Sequence, residues 1–211
     1  MYTIKSENTQ LEIFTNPDLQ NAKKTADDNA ACGYRVYDEN GKIIYAPYSE
    51  KVTKMLAEGK KITDHVRTTG FRYGHAMLNP AINENEKTVS CDRFVGWVLY
   101  NIGMTDQPEA NGLYVYCSAD PAHDLPTFCE KHGFSRIENK DDLQAGDIVF
   151  VIPKTSGKGV EYASHTFMCA GKANDTDYYR YDCGSDHRIQ SVQPMCEPIN
   201  DFMFAYRPQN N

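Results

Sequence analysis

Three features of the sequence predict an α+β fold. Residues 1–46 alternate short strand patterns with one helix. Residues 90–103 form an apolar helix opened by a cysteine. From residue 148 to 206, apolar strands follow one another through short turns. Strands joined by tight turns pair antiparallel, so the buried helix precedes an antiparallel sheet.

In chain order, Thr3-Ile4-Lys5 and Leu11-Glu12-Ile13-Phe14 have strand patterns. Asn16-Pro17-Asp18 reads as a helix start, with Asn16 as N-cap. The helix runs to about Cys32, and Gly33 is its left-handed stop. Tyr34–Tyr37 and Lys42–Tyr45 flank Asp38-Glu39-Asn40-Gly41, a hairpin pattern. After a connector at Ala46-Pro47-Tyr48, a helix is expected from Ser49 to Gly59, with Val52, Met55 and Leu56 on one face. Residues 60–90 read as mixed and rich in turns.

The segment from Ser90 to Gly103 reads as one buried helix. Ser90 is placed to cap it, Asp92 complements its dipole, and Gly103 ends it. Cys91 therefore falls in the first turn, with Val95, Val98 and Ile102 on its face. Residues 104–124 form a long irregular stretch holding Tyr114, Tyr116 and His123, and a loop of that size usually serves function or is an insertion. Leu125–His132 is a short helix closed by Gly133. Asp141–Asp147 is a turn that feeds the strand Ile148–Ile152. A Gly/Lys loop over 153–159 leads to a strand at Ser164–Gly171. Its hairpin partner is Tyr178–Cys183, and Phe202–Tyr206 closes the sheet.

The composition narrows the function. Of 211 residues, 40% are hydrophobic and 24% charged, which fits a globular chain. The charge sum, 22 − 29 = −7, comes without a Lys/Arg cluster, so nucleic acid is not an expected partner. No apolar run reaches the ~20 residues of a membrane span. The segment from Met1 to Asn8 has no apolar core, so no signal peptide is expected. No His, Asp or Cys pair has zinc-ligand spacing, and Ser156-Gly157-Lys158-Gly159 lacks the rest of a phosphate-binding loop. No metal or cofactor is expected.

Seven cysteines, none in a CxxC pair, suit a reducing compartment. Any one of them is equally readable as a small buried hydrophobe. Cys91 stands apart because free amides and the dipole at a helix N-terminus favour a thiolate and can hold an oxyanion. A thiol nucleophile needs a base, normally a histidine oriented by a third polar group. Among His65, His75, His123, His132, His165 and His187, His165 begins an apolar strand. Counting across the turn at 172–177 puts Asp182 near it or one position off. His187 competes with Asp182 as the third member.

Tyr73-Gly74, Ser90–Val95, Leu143–Phe150 and Ser164-His165-Thr166-Phe167 together resemble, in order and spacing, the NlpC-type cell-wall peptidases. These are papain-like cysteine hydrolases of bacteria and their phages. The resemblance covers about residues 70–206. It implies a papain-like fold, with an N-terminal nucleophile helix packed on a central antiparallel β-sheet. Residues 47–211 would be the catalytic domain. Residues 1–46 would be a small α/β accessory unit, either wall-targeting or packed on that domain. Carried over by position, Cys91 is the nucleophile, His165 the base and Asp182 the orienting residue. Tyr73 lies beside the nucleophile, at the substrate or the oxyanion. Asp92 and Arg93 stand where the family has Ser-Gly, and are expected as altered substrate contacts. Ser90 replaces an Asp, and Thr166-Phe167 replaces Val-Gly.

The implied substrate is a peptide or amide bond in peptidoglycan stem peptides, cleaved through an acyl-enzyme. The implied place of action is the bacterial wall, reached by phage release, from the cytoplasm or after loss of a leader. Two alternatives belong to the same scaffold: amide or acyl transfer, and a wall-binding module without activity.

Overall fold

The structure, a computed structural model, describes residues 1–6, 11–74, 87–106, 112–116, 121–184 and 195–209. His75, Cys117 and His187 lie outside the described residues. The architecture is α+β.

Residues 1–46 build a four-stranded antiparallel sheet from β1 (Tyr2–Lys5), β2 (Phe14–Asn16), β3 (Arg35–Tyr37) and β4 (Ile43–Tyr45), in the order β2-β1-β3-β4. Helix α1 (Leu19–Asp28) packs on it, and Ile4, Ala22, Ala26, Tyr34 and Val36 form its core. The N-cap is Asp18, not Asn16. Asp18 Oδ1 accepts the Asn21 amide at 2.8 Å, and Asn16 ends β2 while accepting the Asp18 amide at 2.9 Å. Pro17 has no N–H to pair, so the chain turns there and the cap falls one residue past it. A 3-10 turn, Ala30–Cys32, follows and ends at Gly33 with φ +78°.

That turn seats the unit on the large sheet. A Cβ on Gly171 would meet the Cys32 carbonyl carbon at 2.6 Å, and one on Gly33 would meet the Ala170 carbonyl oxygen at 3.0 Å. Backbone approach this close requires glycine, and Gly171 also has φ +122°. The Tyr48 hydroxyl ties the joint further. It donates to the Gly33 carbonyl (3.0 Å) and accepts from Nε of the buried Arg35 (2.8 Å).

Helix α2 (Glu50–Thr68) starts at the Ser49 cap but runs nine residues beyond the expected Gly59. Ile62, Thr63 and Val66 continue its buried face. Gly59 does not break it because it faces the sheet, where a Cβ would meet Met168 Cε at 2.0 Å and Tyr181 Cδ2 at 3.1 Å. The roughly 1 kcal/mol cost of a helical glycine is offset by that close approach. Next come β5 (Arg72–Tyr73) and β6 (Thr88–Val89), a short parallel pair, and then helix α3 (Cys91–Asn101).

Helix α4 (Leu125–Lys131) and β7 (Ser135–Ile137) lead to the main sheet. Its other strands are β8 (Ile148–Thr155), β9 (Glu161–Lys172), β10 (Asp177–Tyr181), β11 (Met195–Pro198) and β12 (Phe202–Arg207). All neighbours are antiparallel, in the order β11-β10-β9-β8-β12-β7. Strand β12 therefore does not close the sheet: it inserts between β8 and β7. The sequence patterns do not mark the short strands β7 and β11, and β8 continues through Pro153–Thr155 into the loop expected at 153–159.

Helices α2, α3 and α4 cover one face in the main core, with Phe94, Leu99, Phe128, Phe150 and Tyr206 fully buried. Burying a Phe or Leu side chain contributes roughly 1.5–3 kcal/mol. The other face carries a smaller cluster around Val149, Phe167, Cys169 and Tyr178. Buried Asp147 anchors the entry to β8. Arg207 grips its carboxylate with Nε at 2.9 Å and Nη2 at 2.8 Å, and the Gln144 amide adds a third bond at 2.8 Å. Among the described residues, no helix is long and apolar enough to cross a membrane.

Candidate active site

Cys91 is the first residue of α3, whose first turn lies against β9. Ser90 has the extended backbone of an N-cap, but its side chain caps nothing. Its hydroxyl donates to Asp92 Oδ1, which also accepts the Arg93 amide at 2.9 Å. The Asp92 amide and the backbone N–H of Thr166 on β9 both act on the Cys91 sulfur in favour of its charged form. The sulfur therefore lies near Thr166, the strand residue that follows His165.

His165 and Asp182 meet. Nε2 of His165 is 3.0 Å from Oδ1 and 3.1 Å from Oδ2 of Asp182, and both side chains are buried. A register shift between Tyr179 and Arg180 lets Asp182 reach back to His165 past the end of the regular ladder. With Nε2 turned to a carboxylate, Nδ1 is the ring nitrogen available to a reacting thiol. Tyr73 completes the group, its hydroxyl hydrogen-bonded to the Cys91 side chain and its ring 38% exposed. Burial first, then the Cys91 sulfur once ionised and the Asp92 carboxylate, push the Tyr73 hydroxyl above its ordinary value.

Cys91 is only 2% exposed, yet it lines an open cavity of about 200 Å³ with Tyr73, Asp92, Tyr114, Tyr162 and Ser164. The expectation that the helix N-terminus would favour a thiolate is not met. Burial, followed by the Asp92 carboxylate, pushes the thiol up to about 12. The amides of Thr166 and Asp92 pull the other way and are outweighed, and Asp182 adds to the rise. The sulfur rests as a thiol and needs a base to ionise.

Asp92 lines the cavity, but Arg93, expected beside it as a substrate contact, does not. One residue further along α3 turns the side chain by about 100°. The buried Arg93 guanidinium lies instead over the Tyr114 ring, 4.7 Å from its centre. It supports a wall of the cavity from behind. Tyr162, Ala163 and Ser164 line the site without having been expected there. Their signal was faint: an aromatic and a small polar residue just ahead of His165 on one strand.

The other histidines lie elsewhere or outside the described residues. His65 packs edge-on against Trp97, and His132 stacks on Phe128. Among the described residues, no three His, Cys, Asp or Glu side chains are placed to hold a metal ion. Among known proteins, no family model matches the chain, and neither does any curated protein or solved structure.

Proposed function

We propose that the protein is a papain-like thiol hydrolase of the NlpC type, which cleaves peptide or amide bonds in peptidoglycan stem peptides. The observation that carries this reading is the buried His165–Asp182 pair, close enough to Cys91 that the Asp182 carboxylate and the Thr166 amide next to His165 both act on its sulfur. A thiol at a helix N-terminus, a histidine and an orienting carboxylate make up the apparatus of thiol acyl transfer.

The chemistry follows from the groups present. Neutral His165 donates Nε2–H to Asp182 and takes the Cys91 proton at Nδ1. The sulfur adds to the substrate carbonyl. Negative charge moves to the carbonyl oxygen, beside the Cys91 amide at the start of α3 and the Tyr73 hydroxyl. Collapse breaks the C–N bond, and the leaving amine takes the proton from the imidazolium. Water, deprotonated by His165, then attacks the thioester, releasing the acid and restoring the thiol. Burial of Asp182 favours this scheme, because a carboxylate at Nε2 stabilises the imidazolium formed in each half-reaction.

The test is mass spectrometry of purified peptidoglycan after incubation with wild type, Cys91→Ala and His165→Ala. New fragments are expected from wild type, with each variant slowed by several orders of magnitude. Wild type that leaves the peptides intact, or Cys91→Ala that cuts as fast, overturns the proposal. If added amine appears in the products in place of water, the acyl-enzyme stands and the reaction is transfer.

A further inference from the structure

Strand β8 changes character at Ile152. It is buried from Ile148 through Val151 and exposed from Ile152 to Thr155. Among the described residues, three non-glycine residues have left-handed backbones: Lys87, Ile152 and Asp201. Of these Ile152, at φ +61°, is the β-branched one. Two local features push it toward extended backbone instead. A branched Cβ crowds the neighbouring backbone in the left-handed region. Pro153 follows, and a proline ring drives the residue before it to extended conformations. Burial does not account for the conformation, because the Ile152 side chain is 39% exposed.

The surroundings impose it. The Ile152 N–H donates to the Asp201 carbonyl at 3.0 Å, and Asp201 is itself left-handed at φ +53°. The Ile152 carbonyl accepts the Ser164 hydroxyl at 3.1 Å. Pairing with β9 keeps its register across this point, with Val151 opposite His165 and Pro153 opposite Ala163. Pairing with β12 ends at Val151 and Phe202. Beyond Ile152, β8 is therefore paired with β9 only, and residues 153–163 form a hairpin tip. The β9 side of that tip carries Tyr162 and Ala163, which with Ser164 line the cavity at Cys91. The Tyr162 ring stacks on Tyr116 at 4.2 Å, 14° from parallel. Behind this wall the Cys91 sulfur is almost wholly covered.

We infer that the β8–β9 hairpin tip is a flap over Cys91, hinged at Ile152 and shut under backbone strain. In the shut state Ile152 is left-handed and Tyr162 rests on Tyr116. Relaxation of Ile152 to extended backbone breaks the bond to Asp201 and swings the tip off the cavity. Strain stored in the shut state makes opening easier than it would be at a hinge that accepts positive φ. The inference concerns access to the sulfur and does not depend on which reaction the sulfur performs.

The test is the rate of Cys91 labelling by iodoacetamide at pH 8 in the full chain, read by peptide mass spectrometry. Wild type is compared with Ile152→Gly and Ile152→Pro. Glycine adopts positive φ without penalty, so the shut state gains. Cys91 in Ile152→Gly is expected to label roughly fivefold more slowly or slower still, the scale of the released strain. Proline is fixed near φ −65° and has no N–H for Asp201, so the shut state is lost. Cys91 in Ile152→Pro is expected to label faster than wild type by a similar factor or more. Exposed Cys196 supplies the reference rate, and continued protection of buried Cys129 and Cys169 shows that the fold is intact. If Ile152→Pro exposes those two, the glycine variant alone decides. Labelling of Cys91 in Ile152→Gly at the wild-type rate or faster overturns the inference, and so does a folded Ile152→Pro that labels no faster.

Discussion

Replacing Asp92 with Asn should make Cys91 more reactive toward an alkylating agent. Asp92 is the second cause, after burial, of the rise that pushes the thiol up to about 12. Asn keeps the packing, because its Oδ1 still accepts the Ser90 hydroxyl and the Arg93 amide. What disappears is the charge. An adjacent charge shifts a pKa by about 1–3 units, and the low end suits a carboxylate that already accepts two hydrogen bonds. One unit gives about tenfold more thiolate at any pH well below the pKa. A less basic thiolate is also a weaker nucleophile, by about threefold per unit, so the net gain in rate is about threefold. The assay is iodoacetamide labelling at pH 7–9, read by peptide mass spectrometry, with exposed Cys196 as the internal reference. In wild type the Cys91 rate should climb through that whole range without levelling, because the thiol titrates far above it. Unchanged or slower labelling in Asp92→Asn would refute the charge argument. A wild-type rate already flat across pH 7–9 would mean that the sulfur is ionised against His165.

Three further outcomes are expected. Asp182→Asn keeps the shape beside His165 but removes the charge that stabilises the imidazolium, so turnover of peptidoglycan should fall by roughly two to four orders of magnitude while thermal unfolding moves little; a variant within tenfold of wild type would remove Asp182 from the mechanism. Arg207→Met leaves the Asp147 carboxylate buried without its bidentate partner, and urea unfolding should show a loss of about 3 kcal/mol; an unchanged midpoint would show that the pair contributes only geometry. Stability should also fall in base. The Cys91 and Cys169 thiols are both pushed up to about 12 by burial, whereas unfolded cysteine ionises near 9.0. The folded state holds protons that the unfolded state releases, so unfolding is favoured as pH rises from 9 toward 12, by at most about 1.4 kcal/mol per thiol per pH unit. Urea midpoints that do not move between pH 8.5 and 10.5 would contradict this.

Much of the site can be read along the chain because its parts are local. A serine before a cysteine, an apolar face and a terminal glycine mark α3 within a dozen residues. The hairpin joining β9 to β10 has a short turn, so counting across it brings Asp182 close to His165. Gly59 shows where such reading stops. In isolation a glycine ends a helix, and only the contact with Met168 and Tyr181 shows that the helix passes over it. The placement of β12 between β8 and β7 is equally invisible, since strand order is set by which hydrophobic edges meet after the chain has collapsed. The direction of Arg93 is lost for a related reason: it depends on the rotation of α3 against its neighbours, and the sequence does not encode that rotation.

The sequence by itself determined the α+β class, the cysteine at a helix start, and a histidine and an aspartate on the two arms of one hairpin, although the aspartate falls just past the end of its strand. Those depend on periodicity, caps and turns, which act over a few residues. Tertiary structure decided the direction in which the Cys91 thiol is pushed, because burial and the carboxylates of Asp92 and Asp182 together outweigh the amides of Thr166 and Asp92. It also decided that Tyr116 and Tyr162 stack on the wall of the Cys91 cavity, because those rings come from separate parts of the chain and meet only in the folded protein.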